Sequence, residues 1–288
     1  MPSGPALTVD LEDRDSGQSV ADAIEGLAMC MAEPLSKLEV LDEFGPDPIA
    51  EDVLDSAWSN LARRSERLGA KYHLAVGDRV IQFIPSRESS VYSAIVLMGL
   101  ADVPFRNNNQ QTPTAALFDR IVAAIGPAMH PVGSARACVV SQKTGEGASC
   151  ALPERLRPLL EDLGLELRME YFDPGVNDGG VDVAVWRPIE DNRLNNPIAL
   201  IQGTTQLKYR HKPRDVNIRQ WGLALSQLQV ISGFAIPFKV ADKWAKTVSS
   251  STNLVWHRPV LLDFLVLTPG LDASLMDDCG RFVNEQLA

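Results

Sequence analysis

Residues 178–188 read Asp-Gly-Gly-Val-Asp-Val-Ala-Val-Trp-Arg-Pro, and residues 197–212 read Pro-Ile-Ala-Leu-Ile-Gln-Gly-Thr-Thr-Gln-Leu-Lys-Tyr-Arg-His-Lys. Both are short runs rich in β-branched and apolar residues, and Glu190, Asp191, Asn192, Asn195 and Asn196 supply turn chemistry between them. The pair therefore predicts two adjacent strands joined as a hairpin. Asp182 opens the first strand and Gln202 ends the second. A carboxylate and a second oxygen ligand on neighbouring strands can share one hard divalent cation, which is the start of a metal-dependent phosphodiesterase. Gly179-Gly180 lets the backbone bend sharply before Asp182. The plainer alternative is that Asp178-Gly179-Gly180 is only a turn and Asp182 only caps it. Gln202 emerges from an apolar run, and an unpaired amide there costs roughly 1–3 kcal/mol, so it needs a partner.

Working outward, helical spacing predicts helices over Ser19–Ala32 and Ile49–Leu68, and Val91–Ala101 is apolar on nearly all sides, as a buried helix is. Val76–Pro85 suits a short strand or the start of the next helix, and Thr112-Pro113 opens a helix with an apolar stripe at Leu117, Phe118, Ile121, Val122 and Ile125. Beyond it we expect a strand at Ala137–Ser141, a helix at Pro153–Leu163 closed by Gly164, and an alternating strand at Leu165–Phe172. After the hairpin come a helix from Val216 to Gly233, strands at Phe234–Phe238 and Val260–Leu267 around a Trp244-bearing helix, and a helical tail, Ala273–Leu287. That order predicts an α/β fold: a mixed sheet flanked by helices, with an all-helical acidic N-terminal region. The expected division is a disordered arm at 1–17, a helical region at 18–88 and the α/β domain at 89–288.

The net charge of −10 argues against a nucleic-acid partner until its distribution is read. Residues 1–60 carry fourteen acidic and two basic side chains, so they account for −12 and the remaining 228 residues for +2. Four scattered cysteines form no Cys-x-x-Cys pair, which fits free thiols in a reducing cytosol. The start of the chain lacks the pattern of a signal peptide, and the apolar run Val91–Ala101 is far short of the roughly 20 residues a bilayer requires. The expectation is a soluble cytoplasmic protein with no membrane partner. Thr144-Gly-Glu-Gly lacks the Gly-Lys-Ser/Thr of a phosphate loop, and the four histidines suggest no nucleophile–base pair.

The landmarks Asp178, Gly179, Gly180, Asp182, Trp186, Arg187, Pro188, Gln202, Tyr209 and Lys212 together resemble a branch of the PD-(D/E)xK restriction-endonuclease-like superfamily found in bacterial antiviral defence loci. Ala235-Ile-Pro-Phe238, Trp244, Leu261-Leu-Asp-Phe264 and Leu117-Phe118-Asp119 are similar to its other landmarks, so the resemblance spans roughly residues 90–270. It implies the restriction-endonuclease-like fold, Mg²⁺ (or Mn²⁺) and DNA. It also implies roles: Asp182 as central metal ligand, Gln202 where many members have Glu, and Asp119 as the helix-borne acid completing the metal shell. On local spacing alone, Asp119 beside Arg120 reads as an ordinary surface acid of a helix. The superfamily usually has Lys two positions after the Glu or Gln, and here that residue is Thr204. Lys208 or Lys212 would have to reach back from the loop, and we take Lys212 as the catalytic candidate.

Lys208, Arg210, His211, Lys212, Arg214 and Arg219 form the densest basic cluster of the chain, with Tyr209 and Trp221 interleaved. Such a patch beside the candidate site fits contacts to a phosphate backbone; the alternative is a solvated loop and helix start. The expected function is a Mg²⁺-dependent DNA endonuclease, or nuclease-derived subunit, of an anti-phage system. The alternative is a catalytically degenerate DNA-binding or scaffolding subunit working with a partner protein such as an ATPase, and either form is compatible with a homo-oligomer.

Overall fold

The computed structural model describes residues 17–31, 33–43, 49–100, 108–130, 134–141, 150–173, 178–188, 197–206, 209, 212–226, 229–240 and 242–288. Residues 1–16 of the expected arm, and the hairpin turn 189–196, lie outside the described residues. Contacts divide the chain into two units, Met1–Arg106 with Asp272–Ala288, and Asn107–Leu271. No helix among the described residues is long and apolar enough to cross a membrane.

The first unit contains α1 (Gly17–Cys30), β1 (Leu35–Ser36), α2 (Lys37–Glu43), α3 (Glu51–Leu68), β2 (Leu74–Val76), β3 (Val80–Phe83), α4 (Ser90–Gly99) and the C-terminal helix Ala273–Leu287. Helices α1, α3 and the tail lie where their periodicity predicts them. The all-helical expectation for this region is corrected: β1, β3 and β2 make a three-stranded antiparallel sheet, with Leu35 opposite Ile81 and Leu74 opposite Phe83. Strand β3 falls within Val76–Pro85, where one of the two readings is a short strand, whereas β1 and β2, of two and three residues, are too short for alternation to stand out beside the helical stripes. The expected boundary at 88/89 also differs from the contact-based one. Helix α4 is buried from Ser90 to Met98, and the C-terminal helix packs on it, with Ser90 Oγ donating to the Met276 carbonyl at 2.9 Å. A helix apolar on every side needs a full wrapping of partners, and α4 finds it in the N-terminal unit.

This unit also buries a polar network. Glu25, fully buried, accepts hydrogen bonds from the hydroxyls of Tyr72 (2.7 Å) and Tyr92 (2.6 Å), and its other oxygen pairs with Arg64 Nη1 at 2.6 Å. Arg64 pairs with Asp22 as well.

The second unit runs α5 (Asn108–Ile125), β4 (Arg136–Val139), α6 (Leu152–Arg155), α7 (Arg157–Leu163), β5 (Val183–Trp186), β6 (Ile198–Gly203), α8 (Ile218–Ala224), β7 (Val230–Ala235), α9 (Asp242–Ser249), β8 (Leu254–Trp256) and α10 (Arg258–Leu267). Its sheet is mixed, in the order β4-β5-β6-β7-β8: antiparallel from β4 to β6 and parallel from β6 to β8. Strands β5 and β6 are buried on both faces, which is why their sequences are nearly continuous apolar runs. Ala184, Trp186, Ile198 and Leu200 join one core with Leu152, Leu156 and Leu159 of the α6–α7 stretch and Trp221 of α8. The alternate residues point to the opposite face, where Gly126, at the end of α5, lies close to Val185 and Trp256. The unit is thus an α/β layer structure with helices on both faces of a mixed sheet.

Several local expectations are corrected here. Leu165–Phe172 is no strand: Leu165 and Leu167 lean on the core, but Arg168 N bonds the Ala224 carbonyl at 2.9 Å, and Met169–Tyr171 closes into a single 3-10 turn. Alternation describes half-burial and does not supply a neighbouring strand. Val260–Leu267 is helix α10, with Pro259 in its first turn and Leu261, Leu262 and Leu265 buried at helical spacing. The helix expected to reach Gly233 stops at Ala224, followed by Ser226 in the left-handed region (φ 58°), and the β-branched Val230-Ile231 begin β7. Helix α5 starts at Asn108, so Pro113 falls inside it and does not open it.

Candidate functional site

Asp182 sits where β4, β5 and β6 end together. Its carbonyl accepts from Val140 N at 2.7 Å and Ser141 N at 3.2 Å, and its own N–H donates to the Ile201 carbonyl at 2.9 Å. The preceding turn requires its glycines: Gly179 and Gly180 have φ of 58° and 78°, and a Cβ on Gly180 would lie 2.2 Å from the Asp215 carbonyl oxygen. Asp178 Oδ1 accepts from Gly180 N at 3.0 Å, and Trp221 Nε1 donates to the Gly179 carbonyl at 3.0 Å. These contacts hold the strand opening against the 3-10 turn Lys212–Arg214 and α8.

Asp119 comes from α5 and is fully buried, so it is not a surface acid. Ser141 Oγ donates to its Oδ2 at 2.6 Å. A Cβ placed on Gly203 would stand 2.8 Å from Asp119 Oδ1 and 3.8 Å from Asp182 Oδ2, so the two carboxylates converge within 4 Å of one point at the end of β6. Only glycine leaves that point open. Gln202 Nε2 donates to Asp182 Oδ2 at 2.6 Å and to the Gly203 carbonyl at 3.2 Å, and Gly203 N donates to the same Asp182 oxygen at 2.8 Å. The structure therefore brings together all three expected ligands, Asp119, Asp182 and Gln202, and Asp182 does more than cap a turn.

A cavity of about 230 Å³ is lined by Asp178, Asp182, Gln202, Gly203, Thr204, Lys212 and Asp215 among others, while Asp119 lies buried behind it and is not among its lining residues. Lys212 Nζ lies 3.4 Å from Asp215 Oδ2, half-exposed, so an ammonium stands at the cavity although position 204 is threonine. Thr204 follows β6 with its N–H on the Ala235 carbonyl at 3.0 Å. Of the basic cluster, Lys208, Arg210 and His211 lie outside the described residues. Arg214 and Arg219 are exposed, and Arg214 Nε reaches Ser251 Oγ at 3.5 Å. The aromatics interleaved with the cluster are core residues: Tyr209 packs with Phe234 and Phe238, and Trp221 is fully buried.

Among the described residues, no three His, Cys, Asp or Glu side chains gather closely enough to hold a metal on their own. Two convergent carboxylates are nonetheless a pair of hard oxygen donors, and Mg²⁺ commonly takes only one or two carboxylates and keeps several waters; Gln202 meets Asp182 through its nitrogen. On donor chemistry the residues fit a divalent cation. Ser141 and Gly203 are the site residues that sequence reading missed. Ser141 was visible only as the polar end of an apolar strand, and Gly203 only as a glycine after Gln202.

Comparison with known proteins found no matching family model, no matching curated sequence and no matching solved structure.

Proposed function

We propose that the second unit is a Mg²⁺-dependent phosphodiesterase acting on DNA, in the setting of bacterial antiviral defence that its resemblance to the PD-(D/E)xK superfamily implies. The observation that carries this reading is the convergence of Asp119 Oδ1 and Asp182 Oδ2 within 4 Å of one point beside Gln202 and below a cavity that Lys212 also lines. A bound divalent cation supplies charge neutralisation of the scissile phosphate and a more acidic attacking water. Asp119 and Asp182 would hold it, and Ser141 and the Gly203 N–H orient their carboxylates. Gln202 offers a neutral ligand where a third carboxylate is usual. Lys212, carried on its own 3-10 turn, directs a positive charge toward the phosphate from a place other than position 204. A bound cation would offset the acidic lining of the cavity toward a polyanion.

The test is incubation of the purified full chain with linear, nicked and single-stranded DNA in MgCl2 or MnCl2, with Asp182→Ala alongside. Cleavage that depends on the metal and disappears in Asp182→Ala is the expected result. A wild-type protein that neither binds a divalent ion nor cuts any of these DNAs overturns the catalytic reading. Thr204 favours one second reading, a DNA-binding subunit without cleavage, which salt-sensitive DNA binding in the absence of any product would single out.

A further inference from the structure

Gln202 is the one expected ligand whose polar nitrogen, and not its oxygen, meets Asp182. Nε2 stands 2.6 Å from Asp182 Oδ2 and 3.2 Å from the Gly203 carbonyl oxygen. An amide nitrogen carries two hydrogens and its oxygen none. Both hydrogens have an acceptor in this arrangement, whereas the reversed amide would press its oxygen against two other oxygens. The assignment of nitrogen and oxygen thus follows from the surroundings. A glutamate at this position would put a second carboxylate oxygen 2.6 Å from that of Asp182, and two carboxylates so close cannot both remain ionised without a proton or cation between them.

From this geometry we infer that Gln202 is a metal-responsive switch. Without a cation, its amide group stands in for one, donating to Asp182 and the Gly203 carbonyl and keeping the acidic site folded. With a divalent cation bound, the side chain turns its amide over, releases Asp182 Oδ2 and presents Oε1 as a ligand. The glutamine thereby gives up one negative charge of metal affinity and gains a site that is stable when empty, so activity follows the free cation concentration. The inference rests on the metal-centre reading above, and the tests separate the two.

Full-length wild type and Gln202→Glu are melted at neutral pH in EDTA and in millimolar MgCl2 or MnCl2. In EDTA, Gln202→Glu is expected to melt lower by about 4 °C or more, and MgCl2 restores most of the difference while raising wild type far less. A Gln202→Glu protein that melts with wild type in EDTA overturns the switch and leaves the metal centre standing. One that melts lower but responds to neither ion overturns both. Should Gln202→Glu fail to fold, the side-chain amide of Gln202 in ¹⁵N-labelled wild type, identified by its absence from the Gln202→Met spectrum, is followed during MgCl2 titration. It is expected to shift together with the Gly203 N–H. Movement of the Gly203 signal with an unmoved Gln202 amide overturns the switch and keeps the metal centre, and no movement of either overturns both.

Discussion

Glu25 and Asp182 are both carboxylates withdrawn from water, one in each unit, and the chain treats them differently. Around Glu25 the counter-charge is built in: Arg64 pairs with Glu25 and Asp22, and two tyrosine hydroxyls satisfy the remaining oxygen. Burial by itself lowers the pKa of the Arg64 guanidinium, but Glu25 and Asp22 outweigh it and hold that pKa well above its ordinary value. At the other site neutral groups donate as well: the Ser141 hydroxyl to Asp119, and the Gln202 amide and the Gly203 N–H to Asp182. The first arrangement closes an ion network within a core, and the second gathers two buried acids at the strand ends, of which Asp182 lines a cavity. The cost also differs: removing one partner of a closed ion pair strands a charge.

The contrast can be broken most directly at Arg64. Arg64→Ala leaves Glu25 and Asp22 without their cation and is expected to cost about 3–5 kcal/mol in urea denaturation; a loss below about 1 kcal/mol would show that the network is not what compensates these acids. At the other site, the added methyl of Gly203→Ala meets Asp119 Oδ1 at 2.8 Å. It should cost about 1–3 kcal/mol and weaken divalent-ion binding in calorimetry; unchanged binding would place the cation away from Asp119. The smallest effect is expected of Ser141→Ala, about 1 kcal/mol of stability with a several-fold weaker response to Mg²⁺. Ser141→Thr keeps the hydroxyl and should restore that response, which separates the positioning of Asp119 from simple packing.

Much of the second unit was legible because its signals are local. The Gly179-Gly180 turn, the two apolar runs and the stripe of α5 each predicted their element, and β5 and β6 pair antiparallel as the hairpin reading requires. The errors share one cause. Leu165–Phe172, Val260–Leu267 and the region after Ala224 are short apolar stretches in which periodicity does not separate strand from helix, and their outcome depends on the neighbours they meet. Leu165 and Leu167 found a core but no strand edge, and Val230–Ala235 found the free edge of β6. The three-stranded sheet of the first unit escaped notice for the same reason, since its strands are held by pairing across residues far apart in sequence.

The sequence by itself singled out Asp119, Asp182, Gln202 and Lys212 as candidates, and determined that the acidic excess belongs to the first sixty residues. Only the tertiary structure decided that Asp119 is buried and not a surface acid, that Ser141 and Gly203 complete the arrangement, and that Gln202 meets Asp182 through its nitrogen. The physical reason is that residue type and spacing fix what a side chain can donate or accept. Whether it does so is set by which distant backbone is packed against it, and Asp119 and Gly203 are brought together only once helix and sheet have closed on each other.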